Sequence, residues 1–364
     1  MGLRQCPLEG LGRLMMDLDF YRGKRVFVTG HTGFKGSWLC RILVKAGAEV
    51  TGYALPAPEG DNLFALAGLE ENMTSVMGDI RNMDALWKAF DNAQPQIVLH
   101  LAAQPLVREG YRSPAETYEI NVMGTVNLLE CIRRSHCVRS VLNVTTDKVY
   151  LNNEQNQGFR ETDPLDGYDP YSNSKSCSEL VTHCYQKSFF AEGTVAISTA
   201  RAGNVIGGGD FAKDRIVPDC VRAASAGKAI FLRNPHSIRP YQHVLEPLFA
   251  YLMIARRQYE DVSFAGWYNV GPDESDCVTT AALAQLFCES WGEGAHWEAC
   301  PEAGAPHEAG LLRLDCSLLK QKFGWQPRWD IRRAIQETVA WSRVFLQKGN
   351  IPEEMDRQIQ SFMR

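Results

Sequence analysis

The stretch Val26–Gly36, VFVTGHTGFKG, runs from an apolar, β-branched segment straight into glycines at positions 30, 33 and 36. The apolar segment predicts a strand, and the residues that follow predict a turn and the start of a helix. In such a unit Gly30 permits the tight turn, Gly33 lets the backbone approach a pyrophosphate, and Gly36 lets the helix pack closely on the strand. The free N–H groups of the helix N-terminus then face the phosphates. The stretch therefore predicts a dinucleotide-binding loop, with a tight turn that binds nothing as the alternative.

The chain from Arg25 to about Arg201 alternates short, nearly continuous apolar segments with longer amphipathic ones. This alternation predicts an α/β fold, a Rossmann-type doubly wound parallel sheet. The predicted strands are 25–29, 49–53, 75–79, 97–102, 140–145 and 195–200, and the predicted helices include 36–46, 84–92, 124–135 and 172–190. We expect an N-terminal extension at 1–20, the Rossmann domain at 21–203, and a smaller C-terminal substrate-binding lobe over most of 204–364. Within that last part, a strand near 267–271 is expected to return to the main sheet.

Composition narrows the class of protein. The 364 residues carry a net charge of −5, so no polybasic surface for nucleic acid or for an anionic membrane is indicated. The eleven cysteines are irregularly spaced and form no CxxC pair, which favours reduced thiols in the cytoplasm over disulfides or a metal site. No apolar run approaches the length of a membrane span, and charged residues interrupt the N-terminus where a signal peptide would be apolar. A cytoplasmic protein with a small-molecule substrate is expected.

The choice of cofactor depends on the ends of the second to fourth strands. The segment VTGYALPAP (50–58) offers neither an acid for a ribose 2′-OH nor an arginine for a 2′-phosphate, which favours NAD over NADP without deciding between them. Asp79 and Ile80 suit the adenine end, although Asp79 fits a helix N-cap equally well. The small residues of 101–103 could lie against the nicotinamide end or simply allow close packing. His100 alone predicts a core histidine.

Two groups of polar residues predict a catalytic site. Thr146, Asp147 and Lys148 follow the fifth strand, at the sheet edge where open α/β folds bind their ligands. Tyr171 and Lys175 are four residues apart on a predicted helix and so share a face. A nearby ammonium favours the charged phenolate over the phenol, and Lys175 could also hold ribose hydroxyls. Together these residues predict an enzyme that removes a hydride from an alcohol carbon.

Several segments carry a resemblance that runs from about Phe20 to Trp341. They are GHTGFKGSW (30–38), HLAAQPLVR (100–108), TTDKVY (145–150), YSNSK (171–175), RAGNVIGGGDF (201–211), IRPYQHVLEPL (238–248) and LDCSLLKQKFGWQP (314–327). Together they resemble the extended short-chain dehydrogenase/reductase superfamily and, within it, the sugar-nucleotide 4,6-dehydratases, most of all the branch that acts on CDP-glucose. The resemblance implies a lyase that uses bound NAD in an internal redox reaction: oxidation at C4, loss of water across C5 and C6, and hydride return to C6. It also implies a cytoplasmic homodimer, paired through helices 124–135 and 172–190, in deoxysugar biosynthesis for lipopolysaccharide O-antigen.

The resemblance also implies residue roles. Tyr171 accepts the proton of the sugar 4-OH, and Asp147 is the acid for the departing C6 hydroxyl. Lys148 stands where dTDP-glucose dehydratases have glutamate, and it is either the C5 base or an ammonium that stabilises the enolate. The implied catalytic set is Thr146, Asp147, Lys148, Tyr171 and Lys175. The cofactor set is Gly30, Gly33, Phe34, Lys35, Gly36, Asp79, Ile80, Leu101, Ala102, Ala103, Tyr171 and Lys175. The CDP-glucose set is Gln104, Arg108, Asn204, Arg215, Arg239 and His243.

Other functions on the same fold remain as alternatives. A 4-epimerase needs no acid–base pair for elimination, so Asp147 and Lys148 argue against it. A dehydratase of another nucleotide sugar keeps the same chemistry, but one acting on GDP-mannose would carry basic residues after the second strand, where Ala54, Leu55 and Pro56 stand. A non-catalytic NAD-binding regulatory protein would have no need of the catalytic set.

Overall fold

The computed structural model describes residues 18–152, 157–191, 193, 195–300 and 311–364. Most of the N-terminal extension expected at 1–20 lies outside the described residues, which begin with a 3-10 turn at Leu18–Tyr21. The strands are β1 (Arg25–Thr29), β2 (Glu49–Ala54), β3 (Thr74–Met77), β4 (Ile97–His100), β5 (Ser140–Thr146), β6 (Ala196–Ala202), β7 (Val205–Ile206), β8 (Ile230–Leu232), β9 (Ile238–Pro240), β10 (Gln242–His243), β11 (Trp267–Val270), β12 (Cys277–Thr279) and β13 (Trp297–Ala299).

The helices complete the inventory. The α-helices are α1 (Phe34–Lys45), α2 (Leu63–Leu66), α3 (Met83–Ala93), α4 (Val107–Arg112), α5 (Pro114–Tyr118), α6 (Gly124–Arg134), α7 (Pro170–Phe189), α8 (Ile216–Ser225), α9 (Leu245–Glu260), α10 (Thr280–Trp291), α11 (Ser317–Phe323), α12 (Ile331–Leu346) and α13 (Ile351–Met363). A π-helical turn at Glu119–Met123 joins α5 to α6. Among the described residues, no helix has the length and apolar character needed to cross a membrane.

The main sheet confirms the predicted Rossmann-type fold. Its seven strands run parallel in the order β11-β6-β5-β4-β1-β2-β3. Every strand predicted before residue 201 is present, with its ends moved by no more than two positions. β11 lies beside β6 at the position where the sequence predicts a returning strand. The order reverses between β1 and β4, and ligands bind at this point in doubly wound sheets.

The strands are buried because helices cover both faces of the sheet. All seven residues of β5 and all seven of β6 are buried, as expected for parallel strands covered on both sides. α9 packs against β5 and β6 and is apolar along most of its length.

The start of α7 is set by its N-cap. The helix begins at Pro170 because the side chain of Asp169 accepts a hydrogen bond from Ser172 N at 3.0 Å.

A smaller lobe is built on the carboxyl-terminal side of the sheet. It pairs β7 with β10, β8 with β13 and β9 with β12, and these pairs surround a separate apolar cluster with α8, α10 and α12. Three helices from the same part of the chain, α9, α11 and α13, instead pack on the main sheet or its helices. α9 lies against β5, and α13 packs beside α1, where Arg41 Nε is 2.8 Å from Asp356 Oδ1. The cleft between sheet and lobe holds the candidate site.

Candidate active site

A cavity of about 400 Å³ opens where the carboxyl ends of β5 and β6 meet the smaller lobe; we refer to it as the reaction cavity. Its wall brings together many of the predicted site residues from distant parts of the chain. These are Lys35, Arg108, Thr146, Asp147, Lys148, Tyr171, Asn204, Arg215 and Arg239. The cavity therefore joins the loop after β1, the end of β5, the start of α7 and the smaller lobe.

Asp147 is the most buried carboxyl on this wall, with 1% of its surface exposed. Its Oδ1 accepts a hydrogen bond from Thr146 Oγ1 at 3.0 Å, whereas Oδ2 has no partner within the described part of the chain. A β-carbon on Gly203 would lie 3.1 Å from this Oδ2, so the glycine leaves room beside the carboxyl. A buried carboxyl with one unused oxygen on a cavity can exchange a proton with a ligand there.

Tyr171 reaches the same cavity from the first turn of α7 and is 8% exposed. Burial raises the pKa of its phenol to about 12, a hydrogen bond with Thr146 and the charge of Arg215 lower it, and Asp147 raises it. Thr146 therefore acts on both groups: its hydroxyl donates to the carboxyl of Asp147, and hydrogen bonding with it lowers the pKa of the phenol.

Lys175 shares the helix face of Tyr171, but the structure holds its ammonium below the sheet edge. Nζ donates to Val144 O at 3.0 Å, and the side chain is 4% exposed. Burial lowers the pKa of Lys175 to about 8, opposed by the carboxylate of Glu179. Among the groups that act on the phenol, Thr146 and Arg215 lower the pKa of Tyr171.

The loop after β1 has the shape that a pyrophosphate requires. Gly30 has a φ of +76°, and a β-carbon there would lie 2.7 Å from Ala102 N; one on Gly36 would overlap the Gly30 carbonyl. Gly33 differs, because a β-carbon there would approach only Gly30 O, at 3.4 Å. Gly33 is also the N-cap of α1 and supplies no capping side chain. Open backbone in front of an uncapped helix N-terminus fits the pyrophosphate of a dinucleotide. Phe34 and Lys35 begin that helix.

The end of β3 excludes one of the two interpretations of Asp79. The N-cap of α3 is Asn82, whose side chain accepts from Ala85 N at 3.0 Å, so the alternative of Asp79 as N-cap is wrong. Asp79 instead pairs with Arg81 at 2.6 Å, and hydrogen bonds from Arg81 lower its pKa. Ile80 is buried against Gly124. Asp79 therefore follows β3 directly, and its carboxylate is paired with the guanidinium of Arg81.

The end of β4 is built from hydrogen bonds within the protein. His100 is buried between the hydroxyls of Thr29 (2.7 Å) and Thr125 (3.2 Å), and burial lowers its pKa to about 3, which makes it a neutral core histidine. The N–H groups of Leu101 and Ala102 donate to Thr29 Oγ1 at 3.1 Å each. Ala103 continues the same partly buried segment.

Two predicted substrate residues are not on the cavity wall. Gln104 Nε2 donates to Leu106 O and Thr117 Oγ1, both at 3.0 Å, while its Oε1 accepts from Leu106 N. Its polar atoms thus hold the turn before α4. His243 is fully buried between Trp38 and Trp329, and its Nδ1 accepts from Leu245 N. Both lie near substrate segments in sequence, but their side chains point into the fold.

The smaller lobe contributes basic and amide groups. Arg215 precedes α8 and pairs with Asp210 at 3.0 Å. Arg239 is 5% exposed, and its Nη1 donates a hydrogen bond to Ile238 O at 3.0 Å. Asn204 follows β6, and its carbonyl accepts from Gln242 N. Arg108 lines the same cavity, so these three arginines place guanidinium groups that can bind phosphate oxygens on its wall.

The sequence analysis missed a buried ion pair beneath the site. Glu179 and Arg201 are fully buried and lie 2.9 Å apart. Glu179 also accepts hydrogen bonds from Thr145 and Thr199, while Arg201 donates to Tyr150. An arginine at the end of a strand expected to be buried was the available signal, because buried arginines need a partner.

Comparisons with known proteins identify the family and the fold of the chain. The family model for GDP-mannose 4,6 dehydratase matches residues 27–338. The CDP-glucose 4,6-dehydratase of Salmonella typhimurium is 45% identical over 96% of this chain and 99% of its own length. Among solved structures, the UDP-glucose 4-epimerase of Thermus thermophilus in complex with NAD has a TM-score of 0.75 at 25% identity, covering 87% of this chain and 98% of that one.

A second solved structure shares the fold. The dTDP-glucose 4,6-dehydratase of Bacillus anthracis in complex with NAD has a TM-score of 0.75 at 22% identity, covering 89% of this chain and 98% of that one. The family model covers most of the chain, the curated relative aligns with nearly all of it, and the shared architecture is the one described above. The chain belongs to the family of nucleotide-sugar 4,6-dehydratases that the GDP-mannose 4,6 dehydratase model describes.

Proposed function

We propose that this enzyme converts CDP-glucose to CDP-4-keto-6-deoxyglucose and water, with NAD as a bound cofactor that is regenerated in each cycle. The choice of CDP-glucose is supported by the 45% identity to a CDP-glucose 4,6-dehydratase over nearly the whole chain. The observation that carries the chemistry is Asp147, a buried carboxyl with an unpartnered oxygen on a cavity shared with Tyr171 and Lys148. This arrangement supports oxidation at C4 and loss of water across C5 and C6 in one site.

The cofactor would lie along the carboxyl edge of the sheet. The open backbone at Gly33 and the N-terminus of α1 would bind the pyrophosphate, with Asp79 and Ile80 at the adenine end and residues 101–103 at the nicotinamide end. When bound, NAD supplies the redox chemistry by taking a hydride from C4 and later returning it to C6. An ammonium has three donors and Val144 O uses one, so Lys175 can still hold ribose hydroxyls.

Tyr171 would accept the proton of the C4 hydroxyl. Its phenol is protonated at neutral pH in the free enzyme because burial raises its pKa. The proton must therefore leave the phenol before the residue acts as a base. The proton would leave through Thr146, which lowers the pKa of Tyr171 by hydrogen bonding and donates to Asp147. A proton that moves from Tyr171 through Thr146 to Asp147 leaves a phenolate beside a carboxylic acid.

That same proton would then complete the elimination. Oxidation at C4 makes the C5 hydrogen acidic, and Lys148 either removes it or stabilises the enolate as a cation. Asp147 gives its proton to the C6 hydroxyl as the C6–O bond breaks, and water leaves. Tyr171 has meanwhile gained the C4 hydroxyl proton, so the site returns to its resting protonation. One proton shared by Tyr171 and Asp147 balances the cycle.

The diphosphate of the substrate would be held by the smaller lobe. Arg239 and Arg215 offer planar guanidinium groups that can bind phosphate oxygens through two hydrogen bonds each. Asn204 and Arg108 adjoin the same part of the cavity wall. Gln104 and His243 are assigned no contact with the substrate, because their polar atoms face the protein interior.

A 4-epimerase is the second candidate, since a solved 4-epimerase shares the fold. An epimerase returns the hydride to C4 and has no hydroxyl to expel. A buried acid with an unused oxygen beside a lysine would then have no task, and this favours the dehydratase. The same residues disfavour a non-catalytic NAD-binding regulatory protein.

The finer assignments are also part of the proposal. We propose a cytoplasmic homodimer that works in deoxysugar biosynthesis for lipopolysaccharide O-antigen. The dimer is supported by exposed apolar side chains near α6 and on α7: Met123, Leu180 and Phe189 are each more than half exposed. Sedimentation of the wild type and of Leu180→Glu tests the dimer, because a charge in a paired interface should give monomers.

The test of the function is turnover with NAD on CDP-glucose, dTDP-glucose, UDP-glucose and GDP-mannose in parallel, with mass spectrometry for the loss of water. Product from CDP-glucose alone supports the proposal. Product from a different nucleotide sugar keeps the reaction and replaces the substrate. NAD binding without product from any donor would overturn the enzymatic proposal in favour of a regulatory protein.

A further inference from the structure

Residues 146–149 carry the proposed acid, and we refer to them as the acid segment. They comprise the last residue of β5 and the 3-10 turn Asp147–Val149. The first three side chains line the reaction cavity, and that of Val149 is buried. Thr145 precedes the segment and Tyr150 follows it. The proposed reaction requires this segment to stay at a fixed distance from the phenol of the proposed base.

The buried ion pair beneath the site holds both flanks of the acid segment. The hydroxyl of Thr145 donates a hydrogen bond to Glu179 Oε1. Arg201 Nη1 donates to the hydroxyl of Tyr150 at 2.8 Å. The two charged residues are paired with each other, since Arg201 Nη2 lies 2.9 Å from Glu179 Oε2. The residue before the segment and the residue after it are therefore connected through one pair of opposite charges.

Glu179 also belongs to the helix that carries the proposed base. Tyr171 and Glu179 are both on α7. Ser176 of the same helix donates through Oγ to Val149 O at 2.7 Å. The helix of the base is thus hydrogen-bonded to the residue before the acid segment and to the last residue of the segment.

Burial and strand pairing restrict the motion of this connection. Thr145, Tyr150, Glu179 and Arg201 are all buried. Hydrogen bonds to charged groups are strong, and they are stronger still in the low dielectric of a protein interior. In the sheet, Thr145 of β5 lies directly beside Arg201 of β6. These contacts fix the acid segment relative to both the sheet and α7.

We propose that Glu179 and Arg201 are positioning residues: their pair fixes the acid segment against α7 and so sets the distance between Asp147 and Tyr171. The assignment rests on the proposed function and deepens it. Neither Glu179 nor Arg201 is among the described residues that line the reaction cavity, so both act through the residues that flank the acid segment. A misplacement of about 1 Å between reacting groups can cost about a hundredfold in rate.

The first test removes one hydrogen bond to Glu179 at a time. Thr145→Val removes the hydroxyl next to the acid segment. Thr199→Val is the matched control, because Thr199 of β6 donates to the same carboxylate, at 2.7 Å from Oε2, but does not adjoin the segment. In single turnovers with CDP-glucose, absorbance of reduced cofactor measures C4 oxidation and mass spectrometry measures water loss. Steady-state kinetics gives KM, and thermal unfolding gives Tm.

The two valine variants should differ in rate and not in stability. We expect Thr145→Val to lose water about ten- to a hundredfold more slowly than the wild type, with an unchanged KM. Thr145→Ser keeps the hydroxyl and should restore the rate. Thr199→Val should lower Tm as much as Thr145→Val does, because each removes one hydrogen bond to the same buried carboxylate, but it should keep the wild-type rates.

Three results of this comparison would overturn the assignment. They are a wild-type rate in Thr145→Val, an equal loss of rate in both valine variants, or a raised KM in Thr145→Val at an unchanged rate. The second result would show a general loss of stability, and the third would make Thr145 a substrate contact. Absence of turnover in the wild type and in Thr199→Val would instead count against the proposed function.

Crystal structures of the wild type and of the two valine variants report the position of the acid segment without catalysis. Thr145→Val should displace the carboxyl of Asp147 relative to the phenol of Tyr171, whereas Thr199→Val should superimpose on the wild type. An unmoved acid segment in Thr145→Val would overturn the assignment, whether or not the enzyme turns over a nucleotide sugar.

Discussion

The hydroxyl of Thr146 donates a hydrogen bond to Asp147 Oδ1 at 3.0 Å, and hydrogen bonding with the same residue lowers the pKa of the Tyr171 phenol. The proposed acid for C6 and the proposed base for C4 are thus linked through Thr146. Replacing Thr146 with valine keeps the shape of the side chain and removes this connection. Because the acid and the base act in different steps, a substitution at either end of the connection should stop the reaction at a different point.

Asp147→Asn should stop the reaction after its first half. The amide still accepts a hydrogen bond from Thr146 but gives no proton to the C6 hydroxyl. Reduced cofactor should accumulate on the enzyme in a single turnover, and water loss should slow by about a hundred- to ten-thousand-fold. Rapid-mixing absorbance with mass spectrometry checks both quantities. An elimination at the wild-type rate would show that the acid is another group.

Tyr171→Phe should block the reaction before any cofactor is reduced. The variant lacks the oxygen that accepts the C4 proton, and burial of a phenyl ring at this position costs no hydrogen bond to a charged group. NAD binding and thermal unfolding should be unchanged. In the wild type, C4 oxidation should speed up as the pH rises, because the phenol pKa lies near 12 and deprotonation increases towards it. Substantial C4 oxidation by the variant would remove Tyr171 from this role.

Gly33→Ala should weaken NAD binding without loosening the fold. The position has extended backbone angles, and a β-carbon there meets protein only at 3.4 Å, so the methyl group would point at the pyrophosphate. We expect the Kd for NAD to rise at least about tenfold, equivalent to about 1.4 kcal/mol. Gly271→Ala is the matched control, since its nearest neighbour is at 3.5 Å and outside the cavity. Unchanged NAD affinity in Gly33→Ala would place the pyrophosphate elsewhere.

Arg239→Lys should raise KM far more than it lowers kcat. Lysine keeps the charge but cannot bind two phosphate oxygens in one plane. Loss of one charge-assisted hydrogen bond predicts a rise in KM of about ten- to a hundredfold. Steady-state kinetics on CDP-glucose checks this, and inhibition by CDP should weaken in parallel. A fall in kcat at constant KM would contradict a phosphate-binding role.

Glu179→Gln should destabilise the protein, because Arg201 then remains buried without a counter-charge. Breaking a buried pair of this kind costs about 3–5 kcal/mol, and adding Arg201→Met should recover part of that loss. Burial raises the pKa of Glu179. The charge of Arg201 and the hydrogen bonds from His183 and Thr145 lower it by a larger amount, so that the resulting pKa is about 2. Its contribution to stability is therefore complete above its ordinary pKa and is lost as the pH falls towards 2. Urea unfolding across that acid range should show the loss in the wild type and not in Glu179→Gln.

The sheet was predictable because its signal is local. A strand that is buried on both faces has a continuous run of apolar residues in the sequence. A glycine-rich loop between such a strand and a helix is typical of a phosphate-binding turn. The end of β5 was predictable on similar grounds, since three polar residues after a buried strand must reach a ligand or solvent. Thr146, Asp147 and Lys148 all lie on the cavity wall.

Side-chain direction was harder to predict. His243 and Gln104 lie in segments that carry the family resemblance, but the ring of one and the amide of the other point into the fold, which only packing decides. Lys175 shares a helix face with Tyr171, as the spacing requires, but its ammonium donates a hydrogen bond to the backbone carbonyl of Val144 in β5. The pairing of Glu179 with Arg201 joins two elements that meet only in the folded sheet.

The contact between α13 and α1 has a consequence for how the enzyme is made. Arg41 and Lys45 of α1 both pair with Asp356, more than three hundred positions later in the chain. A ribosome therefore releases the helix that begins at the cofactor loop long before the helix that packs beside it. During that interval the side of α1 that carries Arg41 and Lys45 is not covered by α13. The packing of α1 against α13 therefore forms only after almost all of the sheet has been synthesised.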